Sequence, residues 1–189
     1  MKKTLTIIFL TFFRLSTAIA QNFHFSDIPQ KDGTIFYEKI VELDSSFTQN
    51  ILYQNAKLLF VKCFRDSKAV LQLEDKENGK IVGKGTGICE FRYALVKYKM
   101  RWLFTLDITV KNGKYRVQLY DFSEHEIYTP QIGVSGFWTN FPSATTSYLN
   151  EAMKGKNPGL AYYKSFHETN LRLIESIEKN LKNKSDSDF

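Results

Sequence analysis

The sequence has few of the residues from which metal and redox sites are built. It contains two cysteines and three histidines among 189 residues. The cysteines do not form a C-x-x-C pair, which excludes the usual thiol oxidoreductase motif. The histidines form no H-E-x-x-H or His-x-His pairing of the kind that binds zinc. We therefore expect no metal site and no cofactor, and we interpret His167 as a hydrogen-bonded residue on the apolar side of a helix.

Motifs for phosphate binding and nucleophilic catalysis are also absent. Residues 73–91 are rich in glycine, but Gly83-Lys84 is followed by Gly85, where a Walker loop requires Ser or Thr. Ile88 stands where a dinucleotide-binding loop needs its third glycine. The stretch "GVSGF" at residues 133–137 lacks the final glycine of a nucleophile elbow. The glycines instead predict a β-hairpin whose second strand has a bare face. Either a helix or another backbone lies close to that face, or the strand coils and bulges there.

The long apolar run of the sequence lies at the N-terminus, from Leu5 to Phe13, and is too short for a permanent membrane span. Two lysines precede it, and "AIA" at residues 18–20 precedes Gln21, which is the pattern of a secretory signal peptide. We predict that residues 1–20 are removed on export to the periplasm or the exterior. Gln21 is not a cysteine, so the protein is not predicted to be a lipoprotein. The mature chain should have no transmembrane segment.

Charge gives little indication of a polyanionic partner. The chain has 26 Lys plus Arg against 20 Asp plus Glu. Because residues 1–20 contribute three cations and no acid, the mature chain would have 23 against 20. A net charge of +3 is ordinary, and an exported protein does not meet the genome, so we expect no nucleic-acid partner.

Residues 33–183 predict a single α+β domain, after a lead segment at 21–32 and before a frayed tail at 184–189. A strand at Gly33–Leu43 precedes a helix with a capping box formed by Ser46 and Gln49. The predicted buried stripe of this helix is Phe47, Ile51, Leu52, Ala56, Leu59 and Cys63. A glycine-rich hairpin and a second hairpin follow. The final amphipathic helix has a predicted stripe of Leu160, Tyr163, His167, Leu171, Ile174, Ile177 and Leu181.

The clearest alternation lies in "WLFTLDITVK", which predicts a half-buried strand. The residues expected on its buried face are Trp102, Phe104, Leu106, Ile108 and Val110. Asn112-Gly113 predicts a two-residue type I′ turn, after which "KYRVQLYDF" returns as the next strand. From residue 123 to residue 158 the pattern breaks, and we predict a long loop there, either functional or mobile.

Three stretches resemble a known family: "LYQNAKLLF", "AVLQLEDKENGKIVGKG" and "LFTLDITVKNGKYRVQLYDFS". They are similar to exported Bacteroidetes proteins that form a domain of unknown function with a TATA-binding-protein-like (TBP-like) fold. The resemblance covers about Gly33 to Ser123, and the last helix fits by topology. It implies a curved antiparallel sheet with the helices on one face. It implies no activity, cofactor or catalytic residue. The elements predicted from the residues themselves follow the order β-α-β-β-β-β-α.

A basic and aromatic segment, "RYALVKYKMRW", is the candidate binding surface, through Lys97, Lys99, Arg101 and Trp102. In an exported protein such a surface could contact an anionic lipid or glycan. The alternative is a hairpin connection with solvated cations and with aromatic rings turned to the core.

Two further sets of residues leave alternatives open. Asp121, Glu124 and Glu126 are candidate acids for hydrolysis of an envelope polymer, although acids near turns are usually solvated. Cys63 and Cys89 either form a disulfide, which would contribute about 3 to 4 kcal/mol, or are two buried thiols.

The function that these patterns favour is a non-catalytic binding or interaction module of the cell envelope, with an unknown ligand or protein partner. The alternatives are a hydrolase that uses the acids after the last strand and a protein that binds anionic membrane surfaces.

Overall fold

The computed structural model describes residues 23–63, 71–93, 96–129, 134–135 and 159–183. The predicted signal peptide, the tail and most of the predicted loop lie outside these ranges. A 3-10 turn at Phe25–Asp27 comes first. The strands are β1 (Gln30–Lys31), β2 (Thr34–Ile35), β3 (Tyr37–Glu42), β4 (Leu71–Asp75), β5 (Lys80–Tyr93), β6 (Val96–Lys111), β7 (Lys114–Thr129) and β8 (Val134–Ser135). The helices are α1 (Gln49–Cys63) and α2 (Gly159–Leu181).

The main sheet is antiparallel, with the strand order β3-β7-β6-β5-β4, and β8 pairs with β7. Strands β1 and β2 form a separate hairpin. Helix α1 contacts β5, β6 and α2, and α2 contacts β5. The predicted α+β class is confirmed, with both helices against the same face of the sheet.

The core lies between that face and the helices, and the alternation predicted for β6 is confirmed. Its five apolar residues from Trp102 to Val110 are each no more than 2 % exposed. Tyr115, Val117 and Leu119 of β7 continue the buried layer. Phe166 of α2 packs on Trp102, with ring centroids 4.9 Å apart. Aromatic rings therefore join the sheet to α2.

The face of β5 that carries Gly85 and Gly87 lies inside the core, where aromatic side chains cover it. Gly85 is opposite Phe104 and Gly87 is opposite Trp102 in the β5–β6 pairing. A Cβ atom on Gly87 would lie 2.2 Å from Cε2 of Trp102, and one on Gly85 would lie 2.4 Å from Cζ of Phe104. The close neighbours are thus rings of the adjacent strand, whereas the sequence predicted a helix or a backbone.

Helix α1 begins later than predicted, and its capping residue is different. The backbone N–H of Ile51 donates to Oγ1 of Thr48 at 3.3 Å, so Thr48 caps the helix. Ser46 instead donates from its backbone and its hydroxyl to the carboxylate of Asp44. The side chain of Gln49 donates to the carbonyl of Glu77 at 3.0 Å, which joins the helix to the β4–β5 turn. The predicted capping box at Ser46 and Gln49 is therefore wrong.

The buried stripes of both helices are shifted from the predicted ones. In α1, Ile51 is exposed, and Tyr53 and Phe60 take buried positions. In α2, Leu171 is exposed. The buried residues of α2 are Tyr162, Tyr163, Phe166, Asn170, Ile174, Ile177 and Leu181. The shift arises because large aromatic residues fill the space over the sheet.

Strands β6 and β7 are both longer than predicted, and two irregularities interrupt the alternation in β7. The pairing shifts between Leu103 and Thr105 and again between Arg101 and Trp102 of β6. Asp121 lies at the first bulge with a φ of 52°, a left-handed value that Asp tolerates better than most residues. The predicted loop at 123–158 is therefore wrong for residues 123–129, which belong to β7, and for Val134–Ser135, which form β8. Residues 130–133 and 136–158 lie outside the described residues.

The tip of the β6–β7 hairpin packs on the start of α1. The turn has the predicted two residues between Lys111 and Lys114. Only Gly113 has a positive φ, at 68°, so the turn is not of type I′. Asn112 turns its side chain to α1 and accepts from the backbone N–H of Gln49 at 2.8 Å. Asn112 thereby satisfies one of the unpaired donors at the start of the helix.

Candidate functional site

The face of the sheet away from the helices, which we call the open face, carries the side chains of every second residue, most of them polar. On β5 these are the even-numbered residues from Lys80 to Arg92, and on β6 the odd-numbered residues. Because both described helices pack on the other face, the open face is the broad surface from which the fold can present side chains to a ligand.

At the centre of the open face lies a buried carboxylate. The Asp107 side chain is 5 % exposed and forms an ion pair with Lys80 at 3.1 Å. The hydroxyl of Thr109 donates to the same carboxylate at 3.2 Å. A buried carboxylate is tolerated only with such partners, because the loss of hydration is costly. The ion pair therefore holds the amine of Lys80 at a defined position on the open face.

Next to this pair, a second polar contact crosses three strands. The amine of Lys84 donates to the hydroxyl of Thr105 at 2.6 Å and lies 3.4 Å from the carboxylate of Asp121. The Thr105 hydroxyl donates in turn to Asp121 at 3.1 Å. The bulge at Asp121 is what brings its carboxylate to the open face. We call Lys80, Lys84, Thr105, Asp107 and Asp121 the polar cluster.

A pocket of about 260 Å³ lies beside the polar cluster, toward the β6–β7 turn. It contains three cationic side chains, a hydroxyl and one exposed aliphatic side chain. We call it the basic pocket, and its lining residues are Ile40, Thr109, Lys111, Lys114, Tyr115 and Arg116. Its size is slightly below the roughly 300–1,000 Å³ of pockets for drug-sized ligands, so it suits a small group.

Trp102 is not part of a binding surface, and that part of the prediction is wrong. Its side chain is 1 % exposed, lies against Gly87 and packs on Phe166. The reason is the two-residue period of β6, which places Trp102 on the helix-facing side with Phe104.

The cations predicted beside Trp102 do lie on the opposite side of β6, but an acid accompanies them. Lys97 forms an ion pair with Glu90 at 2.5 Å, and Lys99 is opposite Glu90 in the strand pairing. The hydrogen bond and the charge of Lys97, with a smaller contribution from Lys99, lower the pKa of Glu90. Arg101 is exposed on the same strand. The acid weakens the attraction of this segment for anions.

The predicted acids are only partly placed. Asp121 belongs to the polar cluster, whereas Glu124 and Glu126 pair with Trp102 and Arg101 in the β6–β7 register. The side chains of Glu124 and Glu126 lie outside the described part of the chain. Cys89 is buried in the core, and Cys63 ends α1 with a side chain that is likewise not described. The disulfide therefore stays a prediction.

No group of three or more metal-ligating side chains occurs among the described residues. Within the same ranges, neither helix has the length and apolar composition needed to cross a bilayer.

A second buried polar contact lies far from the open face, where the lead segment packs on α2. The hydroxyl of Tyr37 lies 3.0 Å from Nδ1 of His167, and the ring of Phe23 is 5.8 Å from the imidazole. Burial lowers the pKa of His167, and the charges of Asp27 and Glu168 oppose that shift. Burial also raises the pKa of Tyr37, so its phenol stays protonated. The contact joins β3, α2 and the lead segment.

The free energy of unfolding is expected to fall as the pH drops through about 6.5, the ordinary pKa of His. The folded protein holds His167 neutral, so the unfolded chain binds more protons in this range, and stability is lost toward acid. Urea unfolding at pH 7.5, 6.5 and 5.5 measures the slope. His167→Asn should flatten the slope; equal slopes in the wild type and in His167→Asn would contradict the expectation.

These features define an antiparallel sheet with helices on one face and a polar opposite face, and known proteins share this architecture. Residues 37–125 match the family described as "Domain of unknown function (DUF4468) with TBP-like fold". The predicted resemblance to a domain of unknown function with a TBP-like fold is confirmed for this segment, which runs from β3 into β7.

Two solved structures are similar to the protein. One is a TBP-like protein from Parabacteroides distasonis, with a TM-score of 0.51, 12% identity, and coverage of 82% of this chain and 97% of that chain. The other is a DUF4468 family protein from Bacteroides ovatus, with a TM-score of 0.45, 15% identity, and coverage of 66% and 85%. The first likeness supports the TBP-like fold. A comparison with curated proteins gives no match.

Sequence reasoning missed the basic pocket, although a signal was present. Lys111 and Lys114 flank the Asn112-Gly113 turn, and the two-residue period places Arg116 on the same face as Lys114. Three cations at the end of one hairpin, on the face without helices, could have been recognised from the alternation alone.

Proposed function

We propose that the protein is a non-catalytic binding module of the cell envelope and that its ligand lies on the open face of the sheet. The observation that carries the proposal is the polar cluster. Charged and hydroxyl side chains on three adjacent strands hold one another in fixed positions there, beside a pocket. Donors and acceptors that are already ordered lose little entropy when a ligand replaces part of their network.

The alternative of a hydrolase has less support. A hydrolase of this kind needs two carboxylates at a set separation inside a cleft, and Asp121 is the candidate acid whose side chain is described. The Asp121 side chain is 63% exposed, accepts from Thr105 and lies near the cation of Lys84. These contacts hold the carboxylate of Asp121 within the polar cluster, which suits a structural or binding role.

The alternative of a membrane-surface protein loses part of its basis as well. The predicted surface combined cations with Trp102, and Trp102 is in the core. Glu90 lies among the remaining cations of that segment.

Export to the periplasm or the exterior is the second part of the proposal, and it rests on residues 1–20. Expression of the full chain in a Gram-negative host should give a protein that fractionates outside the cytoplasm. Its intact mass should correspond to a chain that begins at Gln21. A cytoplasmic protein that keeps residues 1–20 would overturn this part.

The binding proposal is tested by releasing the small molecules that co-purify with the mature protein and identifying them by mass spectrometry. Lys84→Met removes a cation of the polar cluster. Lys57→Met is the matched control, because Lys57 is similarly exposed and forms an ion pair with Glu74 at 2.7 Å, on the helix side. We expect about tenfold less released ligand from Lys84→Met and no change from Lys57→Met, since a hydrogen bond to a charged group contributes about 1.5–3 kcal/mol. Equal retention by both variants, or no ligand in the wild type, would count against the proposal.

A further inference from the structure

We propose that the basic pocket binds a phosphate or sulfate ester, with the oxyanion at Arg116 and between Lys111 and Lys114. This inference rests on the proposed binding function and names the chemical class of the ligand. It depends on three features of the pocket: an arginine without an acceptor, two lysines that face each other, and an adjacent aliphatic wall.

Arg116 has no hydrogen-bond or ion-pair partner among the described residues, and its Nε lies buried. A guanidinium has five N–H donors, and a buried donor without an acceptor costs about 1–3 kcal/mol. Phosphate and sulfate oxygens match the fork of the guanidinium. After a small rotation of the Arg116 side chain, an oxyanion in the pocket would supply the missing acceptor.

Lys111 and Lys114 are directly opposite each other at the end of the hairpin. Like charges in such a cross-strand pair repel and destabilise the hairpin. In the part of the chain that the structure describes, no carboxylate lies within 4.0 Å of either amine. A divalent oxyanion between the amines would turn this repulsion into attraction.

The acids near the pocket leave its cations available. Asp107 is occupied by Lys80 and by the hydroxyl of Thr109. Glu42 is opposite Lys114 in the β3–β7 pairing but forms no ion pair with it. Because Lys80 offsets the charge of Asp107, the three cations of the pocket are opposed by Glu42, and an excess of positive charge remains.

The remaining wall indicates an ester in preference to a free ion. Ile40 is opposite Arg116 in the β3–β7 pairing and is 61% exposed. An exposed isoleucine beside an anion site gives the organic part of an ester an apolar surface to cover, and burial of such surface contributes about 25 cal/mol per Å².

The test is a titration of the mature protein with inorganic phosphate and then with glycerol 3-phosphate, followed by amide chemical shifts in NMR. In the wild type, the amides of Gly113, Lys114 and Arg116 should shift, and glycerol 3-phosphate should bind more tightly than phosphate. Arg116→Gln should weaken binding about tenfold, the effect of about 1.4 kcal/mol. The matched control is Arg172→Gln, because Arg172 is an exposed arginine on α2.

The double variant Lys111→Gln/Lys114→Gln keeps the inference testable if Arg116→Gln does not fold, and it should also weaken binding. Shifts that are absent at about 50 mM phosphate, or that persist equally in both pocket variants, would overturn the inference. The affinity for both ligands should fall steeply as the salt concentration rises, because exposed charges are screened at high ionic strength.

Vesicle sedimentation distinguishes two sources of the ester, a lipid headgroup and a soluble or glycan-borne ester. Arg116-dependent sedimentation with phosphatidylglycerol vesicles, and none with phosphatidylcholine vesicles, would assign the site to a lipid headgroup. Binding of glycerol 3-phosphate without vesicle binding would assign it to a soluble or glycan-borne ester. If the pocket binds no oxyanion but Lys84→Met still loses the native ligand, the inference fails and the proposed function stands.

Discussion

Trp102→Ala is expected to lower the free energy of unfolding by about 4 kcal/mol, the usual cost of truncating a buried tryptophan. The side chain fills the space between Gly87 of β5 and Phe166 of α2, and it is 1 % exposed. Its removal leaves a cavity at the contact between the sheet and α2. Urea unfolding followed by circular dichroism measures the change.

The matched control is Trp102→Phe, which keeps a ring at the same position. The Nε1 of Trp102 is buried and has no hydrogen-bond partner among the described residues. The phenylalanine variant removes this unpaired donor while it loses some packing, so we expect a cost below about 1.5 kcal/mol. If Trp102→Ala costs no more than Trp102→Phe, the ring does not fill the core.

Gly87→Ala completes a double-mutant cycle with the same side chain. Alone it should cost about 2 kcal/mol, because its Cβ would lie 2.2 Å from the indole ring. In the Trp102→Ala background the added methyl group enters vacated space. The two costs should therefore not add, with a coupling of about 1–3 kcal/mol. Additive costs would show that the glycine does not accommodate the ring.

The sequence was a good guide where one regular period governs a segment. The alternation from Trp102 to Val110 predicted the central strand, and Asn112-Gly113 predicted a two-residue connection. The same rule contradicted the choice of Trp102 as a surface residue, because an aromatic at an even position of β6 must face the helices. The basic and aromatic segment was chosen for its composition. The two-residue alternation of the strand decides which residues of that segment reach the surface.

The sequence was a poor guide where local chemistry or distant contacts interrupt the period. The bulge at Asp121 changed which residues of β7 face the core, so the strand was predicted to end at residue 122 instead of 129. Thr48 was missed as the cap because Gln49 was expected to form a capping box with Ser46. Gln49 instead donates to Asn112 and Glu77, which are distant in sequence. The polar cluster joins Lys84 to Thr105 and Asp121 across three strands, a contact that depends on strand order.

Lys80→Met is expected to lower the free energy of unfolding by roughly 2 kcal/mol, because it leaves the Asp107 carboxylate buried with Thr109 as its remaining partner. This is less than the 3–5 kcal/mol of a fully buried pair, since the Lys80 side chain is 37% exposed. Lys57→Met is the control, because Lys57 and Glu74 are both substantially exposed, and such pairs contribute about 0–1 kcal/mol. Equal effects of the two variants in urea unfolding would show that Asp107 does not depend on Lys80.

The double variant Lys80→Met/Asp107→Leu should recover most of the lost stability, to within about 1 kcal/mol of the wild type, because replacing both partners of a buried pair by apolar groups is often close to neutral. Val82, on the same face of β5, supplies an apolar neighbour. The double variant therefore separates folding from binding at the centre of the open face. If it is stable but retains less of the native ligand than Lys57→Met does, the pair contributes to the binding surface. If stability is not recovered, the ion pair is itself needed to hold β5 and β6 together.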